Sequence, residues 1–248
     1  MTTKLILDFG NTLTKAAVFK DNEMIHLESH ASFHVNGVRA LLDRYPDISG
    51  SIISSVIHHP EEVNRFLDEN THLIILDEKT PLPVIQEYKD PISLGKDRIA
   101  AAVAASTSHP GKNVLIVMAG TCITYDFVDA GNRHHGGGIS PGVNMRFRAL
   151  NAFTGKLPLV SGKPPVPLTG NTTRGSILSG VLIGTLEEIR GIINRYEERY
   201  DSLTIILSGG DANYFDKRLK NNIFAVRNIV IQGLNVIFDF NANLEDQN

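Results

Sequence analysis

Cysteine is nearly absent from the chain, and its positive and negative charges nearly balance. Cys122 is the only cysteine among 248 residues, which excludes an intramolecular disulfide and a cysteine-rich zinc site. The formal net charge of -3 argues against a nucleic-acid partner that depends on a broad positive field. No apolar run reaches transmembrane length, and no signal peptide precedes the first predicted strand. We therefore expect a cytoplasmic protein with no nucleic-acid partner and no membrane partner.

The rest of the composition is that of an ordinary globular enzyme. Hydrophobic residues make up 42% of the chain and charged residues 21%. A chain of this length can bury a sizeable core, either as one large domain or as two smaller ones. Predicted strands and helices alternate after an opening hairpin, which favours an α/β fold with mixed sheets.

The most informative stretch is residues 5–19, LILDFGNTLTKAAVF. Two apolar runs around a short polar segment predict an antiparallel hairpin. A carboxylate such as Asp8 at the end of a buried strand is costly unless a cation or hydrogen bonds meet it. Gly10 allows close approach of the backbone to a ligand, and donors suited to phosphate oxygens follow it: Asn11, Thr12 and Lys15. The alternative is a surface hairpin with a simple Asx turn.

A second stretch, residues 114–129, repeats this pattern as VLIVMAGTCITYDFVD. An alignment without gaps gives five identities, at Leu5/Leu115, Ile6/Ile116, Gly10/Gly120, Thr14/Thr124 and Val18/Val128. We interpret the chain as a duplicated domain, with halves at 1–112 and 113–248. Two such halves would face each other across a cleft, where a ligand commonly binds. In this alignment Asp8 falls on Met118.

A proline-containing loop at 78–94 leads into Gly95-Lys96-Asp97-Arg98 and then into an alanine-rich helix. Long ordered loops are more often functional than not. Asp97 could be a simple N-cap of the helix. The positive charge of Arg98, however, has no dipole reason to lie in a first turn, and an anionic ligand would supply one.

Three further glycine-containing segments follow. Gly136–Gly142 suits a backbone packed closely against a ligand or another strand. Gly170–Thr173 is predicted to cap a long helix. Ser208–Asp211 follows an apolar strand and enters a helix, a turn that presents backbone N–H groups as in many nucleotide-binding proteins.

In combination, these motifs resemble those of the type III pantothenate kinases, a family of the acetate and sugar kinase/Hsp70/actin superfamily. The family patterns are D-x-G-N-T-x-x-K at Asp8–Lys15, G-x-D-R at Gly95–Arg98, G-T-x-x-T-x-D at Gly120–Asp126, G-G-x-I-x-P-G at Gly136–Gly142, and T-G-G-D-A, with serine first, at Ser208–Ala212. They occur in order over essentially the whole chain. The resemblance implies duplicated ribonuclease H-like (actin-like ATPase) domains, with mixed sheets, flanking helices and a central cleft. It also implies a homodimer.

The activity that this resemblance implies is ATP-dependent phosphorylation of pantothenate to 4'-phosphopantothenate, the first step of coenzyme A biosynthesis. Asp97 would be the general base that takes the proton from the substrate hydroxyl. The substrate-binding residues would be Tyr88, Gly95, Lys96, Asp97, Arg98 and Thr173. The residues that hold ATP would be Asp8, Phe9, Gly10, Asn11, Thr12, Leu13, Thr14, Lys15 and Thr121, with Asp8 acting through Mg²⁺ on the phosphates. Phosphoryl transfer needs such positioning and charge neutralisation.

Met118 departs from the family pattern, which usually has an aspartate there that helps to bind the monovalent cation, K⁺ or NH₄⁺. Methionine is a poor ligand for a hard cation that prefers oxygen. The cation site is therefore lost, or rebuilt from other oxygens, or the activity is reduced. Two alternatives remain: a catalytically weak regulatory or binding protein on the same fold, and a kinase acting on another small hydroxylated substrate.

Overall fold

The structure is a computed structural model that describes residues 2–216, 218–219 and 223–245. The chain divides into two compact units. The first comprises Met1–Ser108 together with Ile229–Asn248, and the second comprises His109–Asn228. Each unit has its own mixed sheet and its own flanking helices, which confirms the predicted α/β class.

The sheet of the first unit has the strand order β3-β2-β1-β4-β5. The strands are β1 (Thr3–Phe9), β2 (Thr14–Lys20), β3 (Glu23–His30), β4 (Ile48–Ser55) and β5 (His72–Ile75). The first three are antiparallel neighbours, and β4 and β5 run parallel to β1. The helices of this unit are α1 (Val35–Arg44), α2 (Glu61–Asn70), α3 (Lys96–Ser108) and the last helix of the chain, α7 (Ile229–Glu245). A two-residue strand, β6 (Ile85–Gln86), lies in the loop before α3.

Both faces of this sheet are covered, because successive residues of a strand point to opposite sides. Leu5 and Leu7 of β1 belong to the cluster that includes residues of α1 and α2. Ile6 belongs to the cluster that includes residues of α3 and α7. Every residue of β1 is consequently buried, which explains the continuous apolar run from Leu5 to Leu7.

The last helix, α7, packs within the first unit. Its Gly233 lies so close to α3 that an added Cβ would be 1.8 Å from the carbonyl oxygen of Ala100. The buried Nζ of Lys4 on β1 lies 2.6 Å from an oxygen of Asp239. The duplicated halves at 1–112 and 113–248 stay a prediction. That division places α7 in the second half, whereas α7 packs with residues of the first unit.

The second unit contains the strand order β11-β10-β7-β8-β9. Its strands are β7 (Asn113–Ala119), β8 (Cys122–Val128), β9 (Arg133–Pro141), β10 (Leu203–Ser208) and β11 (Ile223–Ala225). Its helices are α4 (Val143–Ala152), α5 (Thr173–Glu197) and the short α6 (Ala212–Phe215). One face of the sheet, with Leu115 and Val117 of β7, packs into a core that also contains Ile189 and Ile193 of α5.

Both predicted hairpins are confirmed, but their turns differ in length. Phe9 pairs with Thr14 in the first hairpin, and Ala119 pairs with Ile123 in the second. The second turn is thus one residue shorter, so the alignment without gaps holds only for the first strand of each hairpin. Thr14 and Thr124, which the alignment matches, are therefore not structurally equivalent, and this match is wrong.

No helix among residues 2–216, 218–219 and 223–245 combines the length and the apolar character that crossing a bilayer requires.

Candidate active site

Asp8 follows the apolar run Leu5-Ile6-Leu7 on β1, and its side chain is buried. Its Oδ1 has no hydrogen-bond partner among the described residues. Burial raises the pKa of the Asp8 carboxyl to about 6, with a further contribution from the negative charge of Asp97, while Lys15 opposes the shift. A carboxylate oxygen that has no partner among the described residues, and whose ionisation a second carboxylate disfavours, fits a divalent cation, since Mg²⁺ binds carboxylate oxygens.

The turn after Asp8 is tight and exposed. The N–H of Gly10 donates to the carbonyl of Leu13 at 3.2 Å. The three residues between Gly10 and Thr14 are exposed, whereas Thr14 itself is buried at the start of β2. Phe9 is buried and stacks on His59, with ring centroids 4.5 Å apart. The predicted phosphate-binding residues therefore form one hairpin turn next to Asp8.

Asp97 is the second residue of α3, which begins at Lys96. Asp97 therefore lies at the helix N-terminus as predicted, but inside the first turn, so the alternative that it is a simple N-cap is wrong. Its Oδ1 accepts a hydrogen bond of 2.9 Å from the N–H of Arg98. The carboxylate is folded over Gly95, where an added Cβ would lie 2.5 Å from that oxygen, so the glycine before the helix leaves room for this side-chain position.

Tyr88 and Arg98, which the sequence analysis assigns to one substrate site, are in contact. The guanidinium carbon of Arg98 lies 5.7 Å from the centroid of the Tyr88 ring, and Arg98 is buried. Lys96 has a buried Nζ with no hydrogen-bond partner among the described residues. A carboxylate oxygen of Glu78 is 4.0 Å from this nitrogen. Loop 78–94 thus meets the start of α3 through both pairs.

The second unit positions Thr121 in the turn between β7 and β8. The carbonyl of Thr121 accepts a hydrogen bond of 3.1 Å from the N–H of Gly142. An added Cβ on Gly142 would lie 2.1 Å from the carbonyl oxygen of Gly120 and 2.5 Å from that of Thr121. The glycine at the end of the G-G-x-I-x-P-G motif therefore fits closely under this turn.

Met118 is directly opposite Thr124 on β8 and beside Ser208 on β10. The buried Oγ1 of Thr124 has no hydrogen-bond partner in the part of the chain that is described. The side chain of Met118 contains no oxygen, but the residues beside it on the two neighbouring strands, Thr124 and Ser208, both carry a hydroxyl group.

Thr173 is the first residue of α5, whose N-cap Thr172 accepts a hydrogen bond of 3.0 Å from the N–H of Gly175. Thr173 lines a groove of about 1100 Å³ between α4 and the start of α5. Apolar side chains make up much of the lining, with Arg146 among the polar exceptions. The residues predicted to bind ATP and substrate are thus distributed over both units.

Sequence reasoning missed a polar cluster behind this groove. Glu188 of α5 accepts hydrogen bonds from the hydroxyl of Tyr125 at 3.0 Å, from Ser140 and from Arg146. Burial alone would raise the pKa of Glu188, but these donors outweigh it and the net shift is downward. Burial and the charge of Glu188 raise the pKa of Tyr125. The only signal available in the sequence was a pair of adjacent glutamates, Glu187 and Glu188, in a largely apolar part of the helix.

A second feature that was not predicted from the sequence is the pair of Asp126 and His134, both fully buried. The Nε2 of His134 lies 2.9 Å from an oxygen of Asp126. Asp126 is the last residue of the G-T-x-x-T-x-D motif, and His134 lies on the adjacent strand β9. The aspartate of this motif is therefore held inside the second unit by an imidazole.

Comparisons with known proteins give matches over most of the chain. Residues 4–195 match a family model described as type III pantothenate kinase. A protein of that name from Phocaeicola vulgatus is 44% identical over 241 residues, covering 97% of this chain and 99% of the relative. Another from Cytophaga hutchinsonii is 40% identical over 238 residues, covering 96% and 99%.

A solved structure shows the fold independently of close sequence likeness. The crystal structure of glucokinase from an Antarctic psychrotroph matches with a TM-score of 0.55 at 11% identity, covering 97% of this chain and 99% of the other. The fold is that of the actin-like ATPases and sugar kinases, which confirms the predicted duplicated ribonuclease H-like class. Since the family model spans most of the chain and both relatives are at least 40% identical over nearly all of it, the chain belongs to the type III pantothenate kinase family.

Proposed function

We propose that this chain transfers the terminal phosphoryl group of ATP to the hydroxyl of pantothenate, the activity of its family. The observation that carries the proposal is the pair of carboxylates in the first unit, Asp8 and Asp97. One is buried with an unpartnered oxygen, and the other lies in the first turn of α3 and interacts with it. Phosphoryl transfer requires a cation site and a carboxylate that orients the nucleophile.

Asp97 is assigned as the general base. Half-buried at the helix start, it keeps one oxygen engaged with the N–H of Arg98. This hydrogen bond fixes the orientation of the carboxylate, which a base needs in order to receive the hydroxyl proton of a correctly placed substrate. Tyr88, Lys96, Arg98 and, in the second unit, Thr173 are assigned to the substrate.

ATP is assigned to the two hairpin turns, at residues 8–15 and at Thr121. Lys15 and the exposed turn before it supply positive charge and donors for phosphate oxygens. Mg²⁺ would be held through Asp8, and when bound it would neutralise charge on the phosphates. Asp8 and Lys15 would then contribute opposite charges to the same site, one for the cation and one for the phosphates.

The test is ATP-dependent phosphorylation of pantothenate by the wild type and by Asp97→Asn. We expect turnover in the wild type and a loss of at least about a hundredfold in the variant, with an unchanged melting temperature. Turnover that survives in Asp97→Asn would remove Asp97 from the role of base. A wild type that binds ATP or pantothenate without turnover would instead support the regulatory alternative.

A monovalent cation remains a separate question because of Met118. The hydroxyls of Thr124 and Ser208 flank this position and could replace the missing carboxylate oxygen. Since hydroxyls carry no charge, we propose that the dependence on K⁺ or NH₄⁺ is weaker than the family pattern implies.

We also propose a homodimer, formed through the second unit. The groove between α4 and α5 lies beside exposed apolar residues, including Phe153 at 87% and Leu168 at 78% exposure. An added Cβ on Gly180 or Gly184, one helical turn apart on α5, would meet nothing within 4 Å. A helix of a second copy could pack closely there. Light scattering should give a dimer for the wild type and for Lys112→Glu, an exposed change elsewhere, and a folded monomer for Gly180→Glu.

A further inference from the structure

Two serines on β4 are fully buried but differ in their partners. The hydroxyl of Ser51 lies 2.7 Å from that of Thr71, within hydrogen-bond distance. The Oγ of Ser54 has no hydrogen-bond partner among the described residues. Both side chains are 0% exposed. A buried polar atom without a partner costs free energy, so its presence calls for a bound ligand or water.

Ser54 lies directly beside Asp8. The two residues pair in the register of the parallel strands β1 and β4, so their side chains point to the same face of the sheet. This is the face covered by α3, the helix whose first turn carries Asp97. A hydrogen-bond-like contact with the Ser54 hydroxyl lowers the pKa of the Asp8 carboxyl. The geometry of this contact falls short of a standard hydrogen bond, so neither Ser54 Oγ nor Asp8 Oδ1 has a partner of standard geometry among the described residues.

In the part of the chain that the structure describes, the region therefore contains two buried oxygens without a hydrogen-bond partner on adjacent strands, Asp8 Oδ1 and Ser54 Oγ. One is anionic and the other is neutral, and a hydroxyl can accept a hydrogen bond from a water. Mg²⁺ usually keeps several of its waters and binds proteins through one or two carboxylates. Such an ion would satisfy both oxygens together, the carboxylate by attraction and the hydroxyl through a water.

We propose that Ser54 is a positioning residue of the divalent-cation site, where its hydroxyl holds a water of the hydrated ion bound at Asp8. This inference rests on the proposed function for the cation site but not on the identity of the phosphate acceptor. The role distinguishes Ser54 from Ser51, whose hydroxyl is already satisfied by Thr71.

The test compares Ser54→Ala with Ser51→Ala in two measurements that need no turnover. Titration of Mn²⁺ into the full-length protein with ADP, followed by the electron paramagnetic resonance signal of free Mn²⁺, gives the affinity for the cation. We expect Ser54→Ala to bind Mn²⁺ about tenfold more weakly, the usual scale for an outer-shell partner. Ser51→Ala should bind Mn²⁺ as the wild type does.

Thermal unfolding without metal or nucleotide should affect the other variant: the melting temperature of Ser51→Ala should fall, and that of Ser54→Ala should not. Removing the unpartnered hydroxyl of Ser54 should leave the melting temperature unchanged or raise it, whereas Ser51→Ala breaks a hydrogen bond and should lower it. Unchanged Mn²⁺ affinity in Ser54→Ala would overturn the proposal and leave a structural water as the partner. A fall in its melting temperature equal to that of Ser51→Ala, or no Mn²⁺ binding by the wild type, would also overturn it. A wild type that binds Mn²⁺ yet does not phosphorylate pantothenate would contradict the proposed function alone.

Discussion

Asp8 and Lys15 occupy directly opposite positions on β1 and β2, and the corresponding opposite pair in the second hairpin is Met118 and Thr124. The two opposite positions thus carry one negative and one positive side chain in the first unit, and two uncharged side chains in the second. Lys15 stabilises the ionised form of the buried Asp8 carboxyl, since it lowers a pKa that burial and Asp97 raise. The first hairpin is therefore the one whose chemistry fits phosphates and a divalent cation.

Asp8→Asn should make the unliganded protein more stable and a poorer kinase. The folded pKa of Asp8, about 6, lies above its ordinary value of 3.8, so ionisation of this group destabilises the fold at neutral pH. A shift of this size corresponds to roughly 3 kcal/mol. The gain should be full above about pH 6 and should shrink as pH falls toward 3.8, where both states are protonated.

Urea unfolding of wild type and Asp8→Asn at about pH 7.5 and about pH 5 measures this difference. Asp47→Asn, an exposed change in the same unit, is the control and should alter stability by less than about 0.5 kcal/mol. If Asp8→Asn were less stable than the wild type at neutral pH, the carboxylate would be stabilising the fold and the argument would fail.

Met118→Asp should respond to K⁺ more strongly than the wild type does. The new carboxylate would lie beside the unpartnered hydroxyl of Thr124 and would provide the charged oxygen that a hard cation prefers. Initial rates in KCl and in tetramethylammonium chloride at equal ionic strength measure the effect. Met118→Leu, with no added oxygen, is the control. A steep K⁺ dependence in the wild type would show that its other oxygens already form the site.

Gly142→Ala should weaken ATP binding through the turn that holds Thr121. The added methyl would overlap the carbonyl oxygens of Gly120 and Thr121, at 2.1 and 2.5 Å, and backbone atoms cannot move aside as a flexible side chain could. We expect KM for ATP to rise by about tenfold, with a smaller change in KM for pantothenate. Gly155→Ala, where an added Cβ would meet nothing within 4 Å, should match the wild type; equal effects in both variants would contradict the prediction.

The features predicted correctly from sequence depend on local pattern. The two hairpins follow from apolar runs broken by Gly10 and Gly120, and α3 follows from its alanines. The alignment could not reveal the one-residue difference between the turns, because Thr14 and Thr124 are identical by residue type but not by position. The packing of α7 with the first unit, and the partnership of Asp126 with His134, depend on contacts between distant segments that no periodicity encodes.

Glu188→Gln should lower the free energy of unfolding at neutral pH, and this difference from the wild type should disappear in acid. Burial would raise the pKa of Glu188, but hydrogen bonds from Ser140, Arg146 and Tyr125 lower it below the ordinary value. A carboxyl with a depressed folded pKa stabilises the fold above its unfolded pKa, near 4.5, and this contribution disappears as pH falls through the folded pKa. We expect the variant to lose about 1.5–3 kcal/mol at neutral pH, the range for hydrogen bonds to a charged group.

The adjacent Glu187 provides the matched control. Its side chain is 53% exposed and pairs only with Arg190 on the helix surface in the described residues, so Glu187→Gln should cost less than about 0.5 kcal/mol at every pH. Urea unfolding of both variants from about pH 7.5 to about pH 3.5 gives the two profiles. Because the charge of Glu188 also raises the pKa of Tyr125, absorbance titration should show this tyrosine ionising at lower pH in Glu188→Gln alone. Equal losses in both variants, or a loss in Glu188→Gln that does not change with pH, would show that the buried cluster does not act through its charge.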